Sequence, residues 1–218
     1  MKYVIKVVGI LIGTMLMGLG VAFYKLSSLG QDSLSGMVMS IQYLINNEKI
    51  NYTICYIAIN LIFFILMLCI LRDKIHIGTI INLLLTGTFC DCFMLLFKVC
   101  HMLNPNIYLK IVYSILGLVI ISFGIALYGG ANLGIAPYDS LPLILCRCFP
   151  KVRYPYARIM IDLCCTIVAC IIGVGILKRG DIVHVNTILT FIAMGPLISI
   201  FSKIINQNIY HNETITFD

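Results

Sequence analysis

Apolar residues run almost unbroken from Val7 to Tyr24, and then polar and glycine positions crowd into Ser27-Ser-Leu-Gly-Gln-Asp-Ser33. This alternation recurs down the chain, with long apolar stretches at roughly 4–26, 52–71, 77–98, 107–128, 156–177 and 185–205. Each approaches the ~20 residues a helix needs to cross the hydrocarbon core of a bilayer. Two shorter apolar segments, Leu34 to Asn46 and Tyr138 to Phe149, each follow the first long stretch of a half. A helix of about 13 residues rises only ~20 Å against a core of ~30 Å, so each predicts a half-helix, re-entrant or part of a broken span. An amphipathic helix lying on the surface is the alternative, although Leu141, Leu143, Ile144 and Leu145 leave it little polar face.

The pattern is also written twice. Gly13, Gly20, Ala22, Tyr24, Leu29 and Gly30 recur 104 residues later as Gly117, Gly124, Ala126, Tyr128, Leu133 and Gly134. Lys49, Tyr52, Asn60 and Leu61 recur at an offset of 102 as Lys151, Tyr154, Asp162 and Leu163. His76, Thr79, Gly87 and Phe93 recur at an offset of 108 as His184, Thr187, Gly195 and Phe201. The offset drifts only where loops can absorb it. The expected architecture is therefore an all-α membrane protein of two homologous three-helix repeats, residues 1–101 and 102–206, with a short polar tail over 207–218. Each repeat carries six-span topology's share of three crossings plus one short helix. Duplicated apolar halves with an interrupted segment in each are characteristic of secondary transporters.

Composition sharpens the class. Of 218 residues 61% are hydrophobic and 11% charged, with mean hydropathy +1.03; soluble domains carry roughly 25% charged residues. A net charge of +6 then reads as membrane topology and headgroup attraction, and no basic cluster interleaved with aromatics suggests nucleic acid. The ten cysteines sit mostly inside apolar stretches and read as small hydrophobes, not a disulfide framework. Cys90-Asp-Cys92 tempts a metal reading, but on a helix those thiols point about 200° apart. No metal and no cofactor is expected. The basic, apolar N-terminus is read as a first span and not as a signal peptide, since its counterpart Ile107 to Tyr128 lies mid-chain.

Charge counting leaves topology open. Six crossings with the N-terminus inside put nine of the 15 basic residues on the inner side. If the short helices also cross, ten lie inside, so the count does not separate the two. Three crossings per half make the repeats inverted, and four make them parallel. Length favours six spans with two re-entrant helices.

The candidate chemistry lies at the breaks. In Gly129-Gly-Ala-Asn-Leu-Gly-Ile-Ala-Pro-Tyr-Asp-Ser140 the adjacent glycines end one span, Gly134 and Pro137 keep the connection extended, and Asp139 or Ser140 can cap the short helix that follows. The first half reads Leu29-Gly-Gln-Asp-Ser-Leu-Ser35, with Asp32, Ser33 or Ser35 as caps. Irregular backbone at membrane depth must line a cavity or be buried in protein, and a helix N-terminus favours an anion or polar acceptor. Asn132, Gly134, Asp139, Ser140, Gly30 and Ser33 are the expected substrate-binding residues; helix caps in interfacial loops are the plainer alternative. Ionisable groups within spans give the second set, because each is costly there. Asp162 stands where the first half has Asn60, and Arg158 precedes it by one turn, able to neutralise it. Asp91, with Lys98 two turns on, is either a coupling carboxylate or an interfacial one. His76 and His184 start spans and read as solvated.

At Leu133-Gly-Ile-Ala-Pro-Tyr-Asp139, preceded by Gly124-Ile-Ala-Leu-Tyr128, the chain resembles the YczE/YyaS/YitT family of bacterial membrane proteins. The first copy departs from the motif, with Ser33 for the proline and Leu34 for the aromatic. Lacking a soluble C-terminal domain, the chain looks closer to the YczE branch. The resemblance implies a multi-pass protein of the bacterial inner membrane, an exporter of small molecules in one reading, and names no substrate.

No G-x-S-x-G, H-E-x-x-H or P-loop occurs, so an enzyme is not expected. The expected function is secondary transport of a small organic solute, anionic if the helix dipoles set the preference, with Asp162 or Asp91 coupling proton movement. The alternative is a membrane sensor or regulator that binds a ligand or lipid in the same cavity and acts through a partner. Besides the bilayer and the solute, a second copy of the chain is the partner to look for.

Overall fold

The structure, a computed structural model, describes residues 2–47, 49–102 and 105–210. Their ordered segments are all helical. Six helices are long and apolar enough to cross a membrane: α1 (Lys2–Ser27), α3 (Tyr52–Ile70), α4 (Ile77–Val99), α5 (Ile107–Gly130), α7 (Tyr154–Ile176) and α8 (Val185–Tyr210). Two short ones intervene, α2 (Ser33–Ile45) and α6 (Pro137–Cys148). The protein is a multi-pass membrane protein. Its surface supports this, since large apolar side chains such as Ile62, Leu95, Ile115 and Ile192 stand exposed, as suits an environment of lipid tails.

α1 and α5 form the central pair. A Cβ on Gly13 would lie 2.8 Å from the Gly124 carbonyl, and one on Gly20 would lie 3.0 Å from that of Gly117. Small residues at these crossings let the backbones touch, as helices in lipid require. The contacts descend along α5 as they ascend along α1, so the two helices run antiparallel. Two intervening crossings, α3 and α4, produce that direction; three would not.

Around this pair the halves exchange their short helices, with α2 packing on α7 and α6 on α3. Both breaks share one backbone design. Ser28 and Gly30 hold φ of +52° and +103°, and Asn132 and Gly134 hold +51° and +112°. The Leu29 carbonyl accepts the Asn186 amide at 2.8 Å, and the Leu133 carbonyl accepts the Gly78 amide at 2.9 Å. Each break is thus stitched to the start of the last span of the opposite half. The far ends of the short helices are pinned likewise: the Arg179 guanidinium lies 3.8 Å over the Tyr43 ring, and Arg147 donates to Asp73 at 3.1 Å. That bond holds the exposed Asp73 carboxyl below its ordinary range.

Several expectations shift. α6 starts at Pro137 with Ala136 as its N-cap, so neither Asp139 nor Ser140 caps it. Pro at the first helical position needs no capping acceptor for its own missing N–H, and Ser140 turns its hydroxyl to the Pro137 carbonyl. The polar tail expected over 207–218 is partly helical, since α8 continues to Tyr210, whose hydroxyl donates to the Leu127 carbonyl at 3.0 Å. Gly9 and Gly130 leave room for that ring. Residues 211–218 lie outside the described residues. The cysteines are less buried than their apolar neighbourhoods suggest: Cys55, Cys90 and Cys165 are buried, whereas Cys69, Cys92, Cys100, Cys148 and Cys164 are exposed. Apolar context in a membrane helix does not separate lipid-facing from core-facing positions.

Candidate functional site

α7 organises the site with one side chain per turn. Arg158, Asp162 and Thr166 are spaced i, i+4, i+8 and so share a face. Arg158 donates from Nε to Asp162 Oδ2 at 3.1 Å and from Nη1 to Asp139 Oδ1 in the first turn of α6. The neighbouring Tyr138 donates its hydroxyl to the other oxygen of Asp162, and the guanidinium stands 5.1 Å from the centre of its ring. One turn further, Thr166 donates to Ser33 Oγ of α2 at 3.2 Å. A single helix therefore holds the N-termini of both short helices.

Those N-termini line one interior cavity of about 50 Å³ together with Tyr56, Asn82 and Arg158. From α2 come Asp32 and Ser35, and from α6 come Tyr138 and Asp139. Asp32 is the N-cap of α2: its Oδ2 accepts the Ser35 amide at 3.2 Å, while its Oδ1 is buried without a partner. Asn82 of α4 is fully buried, and its Oδ1 also lacks a partner.

The expected site residues fall into three groups. Asp139, Arg158 and Asp162 come together, with Ser33 joined to them through Thr166. Ser140 is buried one residue behind the lining, and Asn60 turns its amide onto the Tyr56 carbonyl at 3.0 Å. Gly30 and Gly134 serve the breaks, where a Cβ would strike the His184 amide at 2.7 Å or the Thr79 hydroxyl at 2.6 Å. Asn132 is exposed in its turn, away from the cavity. Asp91 is elsewhere: its Oδ2 accepts the Thr53 amide at 2.9 Å and the Thr53 hydroxyl at 2.7 Å, with Lys25 at 3.9 Å. It sits at the N-terminus of α3 and compensates that helix end, beside an open hollow that also contains Lys98. His76 and His184 are exposed at their span starts.

Sequence reasoning missed Tyr56 and Asn82 as lining and treated Asp32 as a cap alone. An asparagine inside Ile80-Ile-Asn-Leu-Leu-Leu85 was the available signal, since a buried amide in an apolar span demands a partner.

Comparison with known proteins adds the family. Residues 4–203 match the model of DUF6198, a family of unknown function. The chain belongs to that family. No curated protein and no solved structure matches it. Within the family match lie both breaks, the α7 face and every cavity residue named above.

Proposed function

We propose that this member of DUF6198 is a secondary carrier of the cell membrane, built as two inverted repeats, that moves a small organic solute without enzymatic chemistry. One observation carries the reading: the N-termini of two short helices from opposite halves line a single interior cavity with Arg158. Half-helix ends meeting at a cavity between repeats are what carriers use to bind a solute and to reverse access. The inverted arrangement is supported by the antiparallel α1–α5 pair and by the matched bonds at Leu29 and Leu133. The resemblance to the YczE/YyaS/YitT proteins points the same way. The bonds of Asp162 to both Tyr138 and Arg158 support it as the group that couples proton movement, by releasing Arg158 when protonated.

The test uses the full chain in proteoliposomes loaded with a pH-sensitive dye, challenged with a panel of small amines, amino acids and carboxylates. At least one solute is expected to drive an internal pH change, and Asp162→Asn to abolish it while gel-filtration behaviour is unchanged. Solutes that bind the protein and produce no flux would instead favour a sensor acting through a partner.

A further inference from the structure

The carrier reading leaves the charge of the solute open, and the lining of the cavity narrows it. Arg158 is its one guanidinium, and Asp139 and Asp162 both take hydrogen bonds from it. Its positive charge is thus more than answered inside the protein. The helix N-termini would otherwise attract an anion. They too are answered, by Asp32 on the Ser35 amide of α2 and by Asp139 in the first turn of α6. An anionic solute would meet carboxylates at both helix ends.

Among the residues lining the cavity, the buried side-chain atoms without partners are acceptors. Oδ1 of Asp32 is buried with no donor, and so is Oδ1 of Asn82, a residue 0% exposed. The Asn82 amide nitrogen is taken up by the Met17 sulfur at 3.6 Å. Buried oxygens without donors carry the full desolvation penalty of the group, most of all for a carboxylate. Asp32 and Asn82 both line the same cavity, the place from which a donor-rich cation would approach these oxygens. Among the described residues no group of three or more metal-binding side chains gathers, and hard metal ions take about six or more oxygens. An ammonium group needs only two or three acceptors and is favoured by aromatic walls such as Tyr56 and Tyr138. The cavity of about 50 Å³, at ~10–15 Å³ per water, admits only a few heavy atoms.

We infer that the cavity binds the primary ammonium group of a small cationic or zwitterionic solute, anchored by the Asp32 carboxylate and the Asn82 amide oxygen. The inference rests on the carrier reading only in taking this cavity as the solute site.

Titration calorimetry of the full chain in nanodiscs tests it, with methylammonium chloride as probe and tetramethylammonium and sodium chloride at matched ionic strength as controls. Saturable methylammonium binding is expected, with neither control competing. Asp32→Asn keeps a capping oxygen for α2 and is expected to weaken binding at least tenfold. Asn82→Leu is expected to do the same, and Asn82→Asp to tighten it. Absent methylammonium binding, equal binding of tetramethylammonium, preferred binding of sodium, or undiminished binding by Asp32→Asn each overturns the assignment. Methylammonium binding with no solute flux in liposomes would sink the carrier reading and leave the site. Flux indifferent to Asp32→Asn would sink the site and leave the carrier.

Discussion

Arg158 donates to Asp139 across 19 residues of chain, and that bond fastens the start of α6 to span α7. Because the same guanidinium also holds Asp162, Arg158 is the shared partner of two part-buried carboxylates. Arg158→Met leaves both without a cation. Breaking a buried pair from one side costs about 3–5 kcal/mol, and with side chains 24%, 20% and 19% exposed the lower end applies. The expected loss is about 3 kcal/mol, read from unfolding in mixed micelles. Neutralising all three, with Asp139→Asn and Asp162→Asn added, should recover most of it. A single Arg158→Met change with unaltered stability would show that the pair does not hold α6.

Gly30 and Gly134 occupy left-handed backbone against the opposite half, at φ +103° and +112°. Gly30→Ala and Gly134→Ala each incur the conformational penalty and a clash, with the His184 amide and the Thr79 hydroxyl respectively, so a loss of at least about 2 kcal/mol is expected from each. Gly129→Ala is the contrast, because a Cβ there meets nothing within 4 Å. In the last turn of α5 that change should be neutral or stabilise by up to about 1 kcal/mol. Equal melting of all three variants would contradict the stitched-break geometry.

If the halves are inverted as proposed, the antiparallel α1–α5 pair puts the turns after α3 and α7 on opposite sides. In a chain freed of its native cysteines, Lys74→Cys and Lys178→Cys should react with an impermeant maleimide from opposite sides of the membrane. Both positions are exposed, in the turns after α3 and α7. Labelling from the same side would mean that the short helices complete crossings.

The spans were legible because hydrophobic length alone identifies them: the apolar stretches expected at 52–71, 77–98 and 107–128 differ from α3, α4 and α5 by two residues or fewer at each end. Boundaries slipped where local chemistry competes with length. Pro137 starts α6 earlier than the capping residues Asp139 and Ser140 suggested. Tyr210 carries α8 past the apolar run because its hydroxyl finds the Leu127 carbonyl. The site was half legible. Asp162 and Arg158 stand out as charges in an apolar helix, and their i,i+4 spacing is visible in one dimension. Asp91 stands out equally, yet serves the N-terminus of α3 through Thr53.

Hydrophobic length and glycine placement, both properties of the chain read in order, determined the membrane class, the six spans, the two short helices and the breaks between them. Which carboxylate meets which cation was decided only by folding. Asp139 and Asp162 converge on Arg158 because α6 packs against α7, and Asp32 joins them because α2 crosses to the other half. Charges in sequence carry a cost that demands a partner, but the partner is chosen by helix packing, and packing between apolar helices follows the fit of small residues such as Gly13 against Gly124 rather than any charge pattern.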